Sequence, residues 1–575
     1  MYSKKIYSKG LISLSFILFL FSTAPAQQFN WAKRMGNAAF DFGYALDLDA
    51  AGNVYSTGSF SGTVDFDPGA GVYNLTPACA VSNDIFISKL DSGGHLIWAI
   101  NAGGCYSDEA RAIVTDASAN IYITGTFNDT ADFDPGAGVY NLVSAGNSDV
   151  FVAKYDSIGA FIWARNIGGD EHQYASAIDV DMAGNLYVTG DFRDTVDFDP
   201  GAGIFTMMTL GNNDIFILKL DADGNFIWAK DIGHTTYNYG YGIKTDAYGG
   251  VYTTGTYRQT VDFDPGVDTF NLTSTGYDDI FIYKSDTAGN FIWAKSVGGV
   301  SYDYGRSLAI DPTGNVWITG SFLSVVDFNP GSGVFNITQS GIAGGDIFIL
   351  KLDSAGNFMW AGQMGGTGDG YGAAIEADIF GNIYTTGHFD GVTDFNPGSG
   401  VLNFTAAGLS GGDIYVVKLN AAGNLQWAKQ VGGTSYDYGT SIVPDAAGNV
   451  YYAGFFYNTV DFDPGTGTYN LTSAGVNDIF VSKLGGTSTG VSENEIANIF
   501  ALYPNPSDGI IHIDLLQEFP AVQVSVRNVI GEEVFSQHYS HTAKLELHLN
   551  TAPGIYFIQL ITDDKLPVVI EYISK

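Results

Sequence analysis

Seven tryptophans, Trp31, Trp98, Trp163, Trp228, Trp293, Trp360 and Trp427, recur 65 to 67 residues apart. Two more markers keep that period. One is DFDPG or DFNPG, beginning at Asp65, Asp132, Asp197, Asp262, Asp327, Asp394 and Asp461; the other is D-[IV]-[FY]-[IV]-x-K, beginning at Asp84, Asp149, Asp214, Asp279, Asp346, Asp413 and Asp478. A chain copied in this way folds as stacked units, because one unit cannot bury its apolar face alone.

The unit reads as β. Four strands are expected in the third copy, at 176–180, 186–192, 214–220 and 226–230. The turns Met182-Ala183-Gly184-Asn185 and Asp221-Ala222-Asp223-Gly224-Asn225 carry the Gly and Asn that accept positive φ in tight hairpins. The 74 glycines and the abundant Asp, Tyr, Phe, Val and Ile agree, and almost no helix is expected. Two hairpins per copy make a four-stranded sheet, and seven such sheets suit a β-propeller. The chain opens with an orphan outer strand, Phe29-Asn30-Trp31-Ala32-Lys33, and the last copy stops after its third strand at Asp478 to Leu484. These fragments complete each other. The expected fold is all-β: a seven-bladed β-propeller whose N-terminal strand closes the last blade, followed by a small Ig-like β-sandwich.

Each unit is longer than the roughly 40 to 45 residues a common propeller blade needs. The surplus lies in the DFDPG segment, whose own alternation suggests an extra hairpin arm with a structural role. The ladder tryptophans sit in an apolar outer strand, where packing between blades is their expected task. Removing one should cost about 3 to 5 kcal/mol.

Residues 1–26 have the form of a signal peptide: Lys4, Lys5 and Lys9, then an apolar run from Leu11 to Phe21, then Ala24-Pro25-Ala26. No later stretch reaches the length and apolarity of a spanning helix. A net charge of -36 argues against nucleic acid as a partner, since such binding rests on Lys and Arg contacts to phosphate. Cations, glycans and basic proteins fit better. Cys79 and Cys105 are the only cysteines, and after export they can form a disulfide.

Gly298 to Gly320 reads GGVSYDYGRSLAIDPTGNVWITG, and Gly432 to Gly454 reads GGTSYDYGTSIVPDAAGNVYYAG. Through this pattern roughly residues 29–484, within a propeller domain expected over 27–484, resemble the secreted bacterial β-propeller repeat family called SBBP. The resemblance implies the fold and leaves the ligand open. Residues 485–498 read as a linker. Residues 499–575 differ in composition, with alternating runs at 510–515, 522–529, 544–549, 555–561 and 568–573. Tyr503-Pro504-Asn505-Pro506-Ser507-Asp508-Gly509, Val529-Ile530-Gly531-Glu532-Glu533-Val534 and Pro553-Gly554-Ile555-Tyr556-Phe557 make this segment similar to the type A sorting domain of the type IX secretion system. That resemblance implies a partnership with the type IX machinery in a Bacteroidota-type bacterium, and release or display at the cell surface. The sequence departs from it at Pro567-Val568-Val569-Ile570-Glu571, where the family commonly has a Lys.

Two sets of residues stand as candidate sites. The paired acids Asp65 and Asp67, Asp132 and Asp134, Asp197 and Asp199, Asp262 and Asp264, and Asp461 and Asp463 can be read as Ca²⁺ ligands. Their preferred reading is turn capping, because the second acid becomes Asn329 and Asn396 while the first is constant. The turns from each outer strand to the next inner strand carry Phe40 and Phe42, Tyr106, His172 and Tyr174, Tyr237 and Tyr239, Tyr302 and Tyr304, Tyr371, and Tyr436 and Tyr438. Of these, Tyr174, Tyr239, Tyr304, Tyr371 and Tyr438 are candidate ligand-binding residues, since aromatics beside acids suit sugar stacking and hydroxyl hydrogen bonds. The alternative is packing over the neighbouring blade. No catalytic set emerges: His95, His172, His234 and His388 occupy unlike positions in their copies. The expected function is non-enzymatic binding or adhesion to a glycan or protein outside the cell. An enzyme acting on extracellular polysaccharide and a structural matrix component are the alternatives.

Overall fold

The structure, a computed structural model, describes residues 27–485 apart from 81, 210, 234–235, 342–343 and 409–411; in the tail it describes 501–503, 509–528, 533–549, 554–562 and 567–574. The signal-peptide segment and linker residues 486–498 lie outside the described residues. Among the described residues no helix is long and apolar enough to cross a membrane.

Each copy folds as an antiparallel meander. In the third, Gln173–Val180 is innermost, followed outward by Leu186–Phe192, Asp214–Leu220 and Phe226–Ile232. The hairpin turns close as their composition demands. Asp181 Oδ1 accepts the Ala183 and Asn185 amides at 2.9 Å, and Gly184 takes the positive φ of 83° that the turn requires. The last sheet is composite: Gln28–Met35 pairs with Asp478–Gly485, whose other edge pairs with Val450–Phe456 and then Asp437–Pro444. Innermost strands touch in sequence order around a closed cycle, from Asp41–Leu48 through each copy to Asp437–Pro444 and back.

The core lies between neighbouring sheets. Tyr187, Ile215 and Ile217 of the third sheet bury against Ile243, Val251 and Phe281 of the fourth, each such side chain contributing about 1.5 to 3 kcal/mol. The outer seam is tied by a shared acceptor. Lys89 Nζ and Trp98 Nε1 both donate to the Ser157 carbonyl in the next sheet's turn, at 3.1 and 3.2 Å. Lys154 with Trp163, and Lys219 with Trp228, do the same at Ala222 and Thr287. In these copies the motif lysine and the ladder tryptophan are therefore one device.

The surplus segment is a hairpin arm, Thr130–Asp132 with Asn141–Val143, that adds to the outer strand Leu96–Gly104 of the preceding sheet. Gly104 is required for this approach, because a Cβ there would lie 2.0 Å from the Thr130 carbonyl oxygen.

In the tail, Ile510–Asn528 pairs along its length with Glu533–His548, and its second half also pairs with Gly554–Thr562, which continues to Pro567–Ser574. The runs at 510–515 and 522–529, expected as separate strands, belong to one strand. Its register shifts between Asp514 and Phe519, just before Pro520, which has no N–H to give the ladder.

Candidate ligand-binding site

The candidate tyrosines are not in turns. Tyr174, Tyr239, Tyr304, Tyr371 and Tyr438 lie inside the first residues of the innermost strands. Before Tyr304 and Tyr438 the cause is the preceding aspartate. Buried Asp303 accepts the Gly299 amide at 2.7 Å and the Leu323 amide at 3.1 Å, so the chain is already registered against its neighbours when it reaches Tyr304. Asp41, Asp108 and Asp437 hold their copies in the same way. Tyr106 does lie in a turn, and the strand position matching Tyr304 in that copy is Glu109.

Two residues further on, every innermost strand bulges. Pairing steps from Gly305↔Gly320 to Ser307↔Thr319, leaving Arg306 as the extra residue. The same step isolates Tyr44, Arg111, Ser176, Tyr241, Ala373 and Thr440 in the other copies. A bulge re-aims a side chain and frees it from the ladder. All seven of these residues line one cavity of about 540 Å³, walled by the innermost strands of every copy. That volume is in the range of small-ligand sites.

Aromatic rows lead toward this cavity. Tyr237, Tyr239 and Tyr241 stack in turn at 6.4 and 6.0 Å, and Phe40, Phe42 and Tyr44 at 6.1 and 5.8 Å. Tyr302 stacks on Tyr304, Tyr436 on Tyr438, and His172 on Tyr174. Tyr371 stacks on His388 at 5.1 Å, and His388 meets the Tyr438 ring edgewise at 4.5 Å. Burial pushes His388 down to about 4, so it is neutral at physiological pH. Burial likewise raises the phenols of Tyr239, Tyr304, Tyr371 and Tyr438, keeping them as neutral hydroxyl donors.

Arg306 stands at the centre of this arrangement. Its guanidinium lies 4.2 Å from the Tyr241 ring, 4.9 Å from Tyr304 and 5.1 Å from Tyr371, and so joins three consecutive innermost strands. Deeper in the cavity, Lys244 Nζ lies 2.7 Å from Glu376 Oε2, two sheets away. Burial opposes the ammonium, yet Glu376 and Asp179 outweigh it and hold Lys244 above its usual range. Asp47, which takes the Thr115 amide and hydroxyl at 2.6 and 2.9 Å, is pushed by burial up to about 6. Arg306, Tyr241 and this charged floor lie outside the residues that the sequence pattern points to. Their signal was a position between two small residues, Gly or Ala before and Ala, Gly or Ser after, that changes chemistry from copy to copy.

The paired acids of the arms cap turns. Asp65 Oδ1 accepts the Asp67 and Tyr73 amides at 3.0 and 2.8 Å, and Asp67 Oδ1 accepts the Gly69 amide at 2.7 Å. Asp132 with Asp134, Asp197 with Asp199, Asp262 with Asp264, and Asp461 with Asp463 repeat the pattern. Asn329 and Asn396 serve equally in the second place, which explains the exchange. Among the described residues no group of three or more His, Cys, Asp or Glu is placed to hold a metal ion. Cys79 and Cys105 are joined as a disulfide, Cα atoms 4.9 Å apart, beside the turn carrying Tyr106.

Comparison with known proteins adds to this geometry. Among curated proteins the chain is similar to an uncharacterized WD repeat-containing protein of Acanthamoeba polyphaga mimivirus, 25% identical over 500 residues, 74% of this chain and 36% of that protein. It is also similar to the regulatory protein FlaEY of Caulobacter vibrioides, 28% identical over 158 residues, 27% of this chain and 16% of that protein. The chain thus spans little more than a third of the first relative's length and less of the second's. Among solved structures it is similar to a protein of unknown function from Bacteroides caccae, with TM-score 0.28 and 9% identity over 52% of this chain and 78% of that one. The WD40 domain of Neurospora crassa Pan2 gives TM-score 0.29 and 10% identity over 60% and 85%. Residues 426–454 match the beta-propeller repeat family, and residues 501–572 match the secretion system C-terminal sorting domain. The sorting domain indicates dealings with the type IX secretion machinery and export to the surface or beyond. The chain thus carries a β-propeller repeat at 426–454 and a type IX secretion sorting domain at 501–572.

Proposed function

We propose that this protein is a seven-bladed β-propeller, followed by a small Ig-like β-sandwich that directs its export, and that it binds an extracellular glycan without transforming it. In this reading residues 27–484 are the binding body, 485–498 the linker and 499–575 the sorting domain. The observation that carries it is the set of aromatic rows converging on the cavity of about 540 Å³. Ring faces stack on the apolar faces of sugars, while neutral phenols and the carboxylates of the cavity floor take up hydroxyls.

The test is glycan-array binding by the secreted protein and by its Tyr304→Ala/Tyr438→Ala variant. Binding that disappears in a variant of unchanged melting temperature supports the reading. Depolymerisation of a bound polysaccharide would replace it with an enzyme.

A further inference from the structure

We propose that the cavity mouth selects an acidic sugar, seating the carboxylate of a uronate residue on Arg306; this rests on the reading of the mouth as a glycan site and names the class of glycan.

A guanidinium has two faces and an edge. The faces of Arg306 are met by Tyr241, Tyr304 and Tyr371, but its N–H groups point outward in its own plane, where rings cannot satisfy them. Among the described residues the Arg306 guanidinium has no hydrogen-bond or ion-pair partner, and because Nε is closed off from solvent, the terminal amino groups are what it offers to the cavity it lines. Arg111 makes the contrast. It is the bulge residue three strands back and lies 4.1 Å from the Tyr44 ring, but its guanidinium is paired with Glu109 of its own strand. The strand position is alike, but Arg306 meets three rings where Arg111 meets one, and of the two only Arg306 is without a carboxylate partner.

In a chain of net charge -36, an unpaired cation at a cavity wall attracts an anion locally against a repulsive surround. The deeper carboxylates, Asp47, Asp179 and Glu376, line the same cavity and oppose entry of a second negative charge. One acid group at the level of Arg306, with hydroxyls below and a ring face against the tyrosines, is the description of a uronate.

Oligomers of galacturonate, glucuronate and mannuronate, and the same oligomers methyl-esterified, are titrated calorimetrically into the full secreted protein and its Arg306→Gln and Arg306→Lys variants. The free acid of at least one series should bind about tenfold or more tighter than its ester, as a charge-assisted hydrogen bond gives. Arg306→Gln should bring that ratio to about one. Arg306→Lys, which keeps the charge and volume, should give an intermediate ratio and guards against loss of fold in the Gln variant. Equal binding of acid and ester by the unaltered protein overturns the inference and leaves a neutral-glycan site standing. A preference that survives Arg306→Gln overturns the assignment to Arg306. Failure of every oligomer, acid and ester alike, overturns the glycan reading and this inference together.

Discussion

Arg34 and Asp478 meet at the seam of the ring, guanidinium nitrogen 2.5 Å from carboxylate oxygen. At the matching place in other sheets Asn101, Gln363 and Gln430 donate a neutral amide to Asp84, Asp346 and Asp413. The ionic pair occurs where the two ends of the propeller segment must find each other. Asp478 is fully buried and Arg34 about one-third exposed. Arg34→Ala leaves a buried carboxylate without its counter-charge; because Arg34 is partly exposed and screened, this should cost less than the roughly 3 to 5 kcal/mol of a fully buried pair, about 2 kcal/mol. Arg34→Gln restores the amide used elsewhere and should cost less than half of that. Denaturant unfolding of both variants decides it; an Ala variant no less stable than the Gln variant would refute the seam argument.

Asp231 occupies the same place in the third sheet. Burial, then the like charge of Asp214, pushes it up to about 8, and its Oδ1 has no hydrogen-bond partner among the described residues. The folded state therefore holds a proton that the unfolded chain releases near pH 4. Its contribution is complete below that pH and is lost as pH rises toward 8. Asp231→Asn should flatten this part of the stability profile and stabilise the protein at pH 8 by at least about 1 kcal/mol. Superimposable melting curves for the two proteins from pH 5 to 8 would count decisively against it.

Trp163 donates to Ala222 of the next sheet at 3.3 Å and is 7% exposed. Trp427 faces the composite sheet in which Gln28–Met35 pairs with Asp478–Gly485, and among the described residues its Nε1 makes no such bond. Trp163→Ala should cost about 3 to 5 kcal/mol and Trp427→Ala about 1 to 2 kcal/mol less. Equal losses would mean that the shared carbonyl adds nothing beyond ring packing.

The arm aspartates are engaged by backbone amides. Excess EDTA should accordingly leave the melting temperature within about 1 °C, whereas Asp132→Ala should lower stability by about 1 to 3 kcal/mol. A large drop in EDTA would return calcium to these turns.

The Cys79–Cys105 bridge spans a sequence separation of 26. A Cys79→Ser/Cys105→Ser variant should lose about 2 to 4 kcal/mol under oxidising conditions. Identical unfolding of the variant and the oxidised parent would show that the bridge stabilises nothing.

Much of the scaffold was legible because its signals are local. Asp181 and Gly184 announce a turn whatever surrounds them, and Trp98 repeats because the surface it meets repeats. The site was less legible. Asp303 and Gly305 flank Tyr304 and read as turn residues, but Asp303 is consumed by two amides from elsewhere in the copy, and Gly305 yields to a neighbour's approach: a Cβ there would lie 2.7 Å from Ile280 Cγ2 and Thr254 Oγ1. A bulge inserts one residue into an alternating pattern without disturbing its composition, so nothing local distinguishes Arg306 from a solvent-facing arginine. The tail joined two expected strands because a register shift, unlike a turn, needs no Gly or Asn.

Because the bulge detaches one residue per copy from the hydrogen-bond ladder, substitution there does not break strand pairing. Duplication would otherwise have produced a symmetric object able to recognise only symmetric things. Tyr44, Arg111, Ser176, Tyr241, Arg306, Ala373 and Thr440 differ widely in size and charge while their strands stay alike. Each copy can drift alone at that position, and a sevenfold-repeated body thereby acquires an irregular, editable inner surface.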